Sequence, residues 1–91
     1  MTVANRIRAE LSAAFHPTRL EIVDRSAAHR GHIGARPQGE SHFELMIVSS
    51  CFEGKSRVER QRLIYNVLSE LMASDIHALA IKALTPAEAG S

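Results

Sequence analysis

Apolar residues recur with helical spacing at the start of the chain. Val3, Ile7, Leu11 and Phe15 fall four apart, with Ala14 beside them, which predicts an amphipathic helix. Thr2 is placed to cap it, and Pro17 stops it just past His16. Arg19–Asp24 reads as a short strand with Leu20, Ile22 and Val23 apolar. The period then lapses. From Arg25 to Ser41 the chain is punctuated by Gly31, Gly34, Pro37 and Gly39, with His29 and His32 between them. A loop of this length is uncommon in a compact domain and is often functional. Alternation returns over His42–Ser49, with Phe43, Leu45 and Ile47 on one side and His42, Glu44, Met46 and Val48 on the other. Met46 and Val48 make both sides apolar, which predicts a central strand. After a turn at Cys51–Gly54, the capping-box pattern Ser56-Arg57-Val58-Glu59 opens the longest helix. Val58, Leu63, Ile64, Val67, Leu68, Leu71 and Met72 form its stripe, and it ends near Ser74-Asp75. Ile76–Leu84 reads as a third strand, with Leu79 and Ile81 on one face and the small Ala78 and Ala80 on the other. Thr85-Pro86-Ala87-Glu88 carries the N-cap, Pro and Glu of a final short helix.

The predicted order is helix, strand, strand, helix, strand. The first two strands pair antiparallel across their loop, while a helical crossover makes the second and third parallel. With helices over one face, the expected fold is an α+β two-layer sandwich with a three-stranded mixed sheet, one domain over residues 1–91. This connectivity brings the loop histidines His29 and His32 to the sheet end where His77 opens the third strand. Cys51 falls at the opposite end, where a buried structural thiol is the expected state.

Composition narrows the chemistry. In 91 residues there is one Cys, which excludes an internal disulfide framework, a four-cysteine zinc site and a self-sufficient iron–sulfur site. Aromatics are 4% with no Trp, unlike a stacking platform for single-stranded nucleic acid. The net charge of +1 implies no strong attraction to polyanions. The longest strictly apolar stretch, Leu45–Val48, is too short to span a membrane. No targeting segment is visible, and a lone thiol suits a reducing cytosol, so the expected location is cytoplasmic.

Five histidines stand against the single cysteine. His29-x-x-His32 plus His77 gives two or three imidazoles converging on one edge, and neutral imidazole ligates zinc, copper, nickel and iron. The plainer reading is a polar loop and a strand-end histidine bonded to a carbonyl. His42 reads as a partly covered sheet residue, and His16 as a helix-end imidazole suited to the dipole. Lys55, Arg57, Arg60 and Arg62 cluster at a helix start, where an anion such as a nucleic-acid phosphate is a conceivable guest. Glu53 and Glu59 alongside favour a solvated face. No G-x-S-x-G elbow, nucleophile constellation or phosphate loop occurs, so the chain is not expected to be an enzyme.

Several segments together carry a resemblance. Phe15-His16-Pro17-Thr18 with Leu20-Glu21-Ile22-Val23-Asp24, Glu40-Ser41-His42-Phe43, and Val48-Ser49-Ser50 leading to Phe52-Glu53-Gly54-Lys55 stand in order. They are followed by Arg60-Gln61-Arg62-Leu63-Ile64-Tyr65 and Ile76-His77-Ala78-Leu79-Ala80. Over nearly its whole length the chain resembles the BolA-like proteins. The resemblance implies a fold similar to a class II KH domain. It implies a partnership with a monothiol glutaredoxin and a shared [2Fe–2S] cluster, to which the partner gives a cysteine, glutathione a thiol and this chain the remaining ligands. The family's His-Ala-Leu histidine matches His77. In the histidine-bearing loop subgroup the second ligand matches His29, with His32 as the alternative. Gln61 departs from the pattern, since many members carry histidine there. The KH likeness also suggests DNA or RNA binding and transcriptional regulation. The KH signature Gly-x-x-Gly is not met, however, because no second glycine follows Gly54-Lys55-Ser56-Arg57. Alone, the chain is expected to be a monomer or weak homodimer.

Overall fold

The computed structural model describes residues 2–25 and 42–90. Helix α1 spans Val3–Phe15, and the Thr2 hydroxyl accepts the Asn5 N–H as its cap. Its row Ile7, Leu11 and Phe15 is buried. The helix stops where His16 adopts the left-handed conformation, φ 45°, and returns its N–H to the Ser12 carbonyl. Pro17 then bars continuation.

Strands β1 (Arg19–Asp24), β2 (His42–Val48) and β3 (Ala78–Leu84) form one sheet in the order β1-β2-β3. The predicted central strand is central. β1 and β2 pair antiparallel with Ile22 opposite Leu45, and β2 and β3 pair parallel with His42 opposite Ala78. One sheet face meets the helices. Phe43, Leu45 and Ile47 are buried there among Ile7, Leu11, Phe15, Phe52, Ile64, Leu68, Leu71 and Ile76. Each such side chain contributes about 1.5–3 kcal/mol by leaving water. The other face is open, and Glu21, Val23, Glu44, Met46 and Lys82 line a shallow depression of about 270 Å³ on it. No helix among the described residues is long and apolar enough to cross a membrane.

The predicted long helix is two. The capping box forms as read, with Ser56 and Glu59 exchanging bonds of 2.7 and 3.1 Å, but helix α2 (Arg57–Val67) breaks at Leu68, φ −95° and ψ 16°, before α3 (Ser69–Ser74). Asn66, Val67 and Ser69 are weak helix formers. The break lets Leu68, Leu71 and Ile76 all reach the core, at 1%, 3% and 4% exposure. Among the described residues the longest helix is therefore α1. β3 starts at Ala78, later than expected, because Ile76 sits in a turn with its N–H on the Leu71 carbonyl.

Two further expectations are corrected. The Thr85-Pro86-Ala87-Glu88 cap forms both of its bonds, but a hydrogen-bonded turn follows, closed by Gly90 at φ 82°, and no C-terminal helix. Cys51 is exposed rather than buried. A short 3-10 helix over Ser50–Phe52 turns Phe52 fully inward and leaves Cys51 outside.

Candidate functional site

The register brings three strand ends together. Asp24 lies opposite Phe43, and His42 opposite Ala78, so the end of β1 and the starts of β2 and β3 share one edge. His77 sits there, between the buried Ile76 and the first residue of β3. Its side chain is exposed, while that of His42 is half-buried. The two rings stack, with centroids 5.3 Å apart and planes inclined by 27°. On the same sheet face as His42, Glu44 pairs with Arg25 at 3.0 Å, and this hydrogen bond raises the Arg25 pKa above its ordinary value.

An exposed imidazole on a strand start is a suitable donor to iron, zinc or copper. Among the described residues, no group of three or more His, Cys, Asp or Glu side chains is close enough to hold a metal ion. The two imidazoles that the described residues bring to this edge are those of His42 and His77. His29 and His32 lie outside the described residues, in the segment that leaves β1 and enters β2 at this same edge. Cys51 lies beyond the far end of β2.

Sequence reasoning set His42 aside. The signal that finds it is the connectivity that placed His77: the first residue of β2 must lie beside the first residues of a parallel β3.

At the other end of β3, Lys55, Arg57, Arg60, Gln61, Lys82 and Glu88 line a groove of about 640 Å³. Arg62 is exposed on α2. Arg60 differs from its neighbours. Its guanidinium meets Glu88 at 2.6 and 3.2 Å and also donates to the Ala83 and Lys55 carbonyls. It is a staple between α2, β3 and the C-terminal turn, so the cations left facing the groove are Lys55, Arg57 and Lys82. Lys82 was not singled out from the sequence, although the alternation of β3 turns it to the side away from Leu79 and Ile81.

A three-stranded mixed sheet with helices on one face defines a small α+β domain of the KH-like kind. The profile of the family described as BolA-like protein matches residues 11–88, and the chain belongs to that family. It is 48% identical over 87 residues to the SufE-like protein 1, chloroplastic/mitochondrial, of Arabidopsis thaliana, covering 91% of this chain but 24% of that relative. It is 40% identical over 85 residues to the DNA-binding transcriptional regulator BolA of Escherichia coli (strain K12), covering 93% of this chain and 77% of the relative. The solved structure of BolA1 from Arabidopsis thaliana superposes with a TM-score of 0.87 at 40% identity, over 97% and 96% of the two chains.

Proposed function

We propose that this BolA-like chain is a non-catalytic cytosolic adaptor that pairs with a monothiol glutaredoxin and shares a glutathione-ligated [2Fe–2S] cluster with it. His77 is one ligand, and a histidine of segment 26–41, His29 or His32, is the second. The observation that carries this reading is the exposed His77 imidazole, immediately before β3, at the edge where segment 26–41 begins and ends. A bound cluster supplies one-electron chemistry and a transferable iron–sulfur unit. This chain's own part is to present imidazole where thiolate would add negative charge, which favours a higher cluster potential. The test is visible circular dichroism of the complex co-purified with the glutaredoxin and glutathione. His77→Ala should lose the cluster bands and most of the iron. One of His29→Ala and His32→Ala should do the same, and the other should not. An unchanged spectrum and iron yield in His77→Ala refutes the assignment.

A second reading is favoured by the groove at the opposite end of β3 and by the name of the Escherichia coli relative. In it, Lys55, Arg57 and Lys82 hold nucleic-acid phosphates. Gel retardation with duplex DNA at low salt tests it. Removing one cation should lower the slope of log K against log salt by about 0.9, and absence of retardation removes the reading.

A further inference from the structure

We propose that His42 is a positioning residue for His77: its ring fixes the orientation in which the His77 imidazole is offered to a metal. The inference deepens the cluster-sharing reading and rests on it. It comes from the stacked pair, with centroids 5.3 Å apart and planes 27° from parallel.

His77 is exposed and lies just before the β3 ladder. His42 is half-buried and belongs to the strand that is paired on both sides. A ring fixed in the sheet against a ring outside it transfers order outward. The nitrogen lone pairs of imidazole lie in the ring plane. Stacking covers one face of His77 and leaves that edge open. Planes only 27° from parallel also keep the in-plane lone pairs of the two rings from converging on one nearby atom. This arrangement suits one ligand and its support, not two ligands of one iron. Groups that orient metal ligands commonly change affinity ten- to a hundredfold when removed.

The test uses His42→Ala, which removes the stacking ring, and His42→Phe, which keeps a ring but has no nitrogen. In the isolated apo chain, imidazole proton shifts and side-chain couplings of His77 are read by NMR. His42→Ala should remove the ring-current shift and average the couplings, and His42→Phe should preserve the fixed rotamer. In the complex with the glutaredoxin and glutathione, cluster survival against a chelator should fall about tenfold in His42→Ala and return in His42→Phe. An unaltered His77 rotamer in His42→Ala overturns the proposal. So does a His42→Phe protein that folds and fixes His77 yet loses the cluster, because that makes His42 a ligand. If the wild-type complex carries no cluster, the cluster-sharing reading fails, while the apo NMR still decides whether His42 orients His77.

Discussion

Arg60 and Glu88 meet fork to fork, Nη1 to Oε1 at 2.6 Å and Nη2 to Oε2 at 3.2 Å, across 28 residues of sequence. The Arg60 side chain keeps 11% of its exposure, and its remaining donors go to the Lys55 and Ala83 carbonyls. The contact locks the C-terminal turn to α2 and β3 with a charge pair of bidentate geometry.

This pair should make stability depend on acid. The Arg60 hydrogen bond first, and the Thr85 backbone N–H second, hold the Glu88 carboxyl well below its ordinary 4.5, at about 2. A carboxylate depressed in the folded state stabilises it fully above the unfolded value, and that stabilisation is lost as pH falls through the folded one. Wild-type Tm should exceed that of Glu88→Gln above pH 4.5, and the gap should close as pH falls towards about 2. Thermal melts of both proteins across this range check it, and a constant gap would remove Glu88 as the cause.

Ser49 is buried at 1% exposure. Its hydroxyl donates to the Phe15 carbonyl at 2.7 Å and accepts the Cys51 N–H at 3.1 Å. The first bond satisfies a carbonyl in the last turn of α1, which has no partner within the helix. Ser49→Ala leaves only the weak Cys51 Sγ contact at 3.6 Å on that oxygen. The expected loss is about 1–3 kcal/mol, read by urea denaturation with an unchanged slope. Ser50→Ala, at an exposed neighbour, should stay within about 0.5 kcal/mol.

Local rules were legible and distant pairings were not. The four-residue spacing of Ile7, Leu11 and Phe15 with Pro17 beyond, the alternation of β2 and the Ser56–Glu59 box each act within a few residues, and each formed as read. The break at Leu68 was hidden because the apolar stripe runs through it unchanged: Leu68 and Leu71 stay buried on both sides. Arg60 looked like a surface cation because Glu88 is far along the chain. His42 looked like an isolated sheet residue because its stack with His77 depends on the β2–β3 register. Cys51 was misread because one 3-10 turn decides whether it or Phe52 points inward.

Exposure of Cys51 predicts that a thiol reagent modifies the folded protein. One equivalent should react without denaturant, since the chain has one cysteine, and low urea should not accelerate it. A rate that rises with urea in step with unfolding would show instead that the thiol is reached only through opening of the native state.

Two carbonyls on the outer edge of β3 are taken by side chains from α2. The Leu84 carbonyl accepts from Ser49 N–H on the β2 side, so the carbonyls of Leu79 and Ala83, at odd spacing from it, face outward. Tyr65 Oη donates to the first at 3.2 Å and Arg60 Nη1 to the second at 3.0 Å. Strand edges with free carbonyls invite pairing with another chain, and occupying them guards against it. Tyr65→Phe should cost about 0.5–1.5 kcal/mol in stability and leave the protein's association state unchanged. Tyr65→Phe combined with Arg60→Ala frees both carbonyls and removes a cation from the edge. The double variant should sediment with a concentration-dependent increase in mass at concentrations where wild type shows none. A double variant that is destabilised yet sediments like wild type would show that these bonds anchor α2 without guarding the edge.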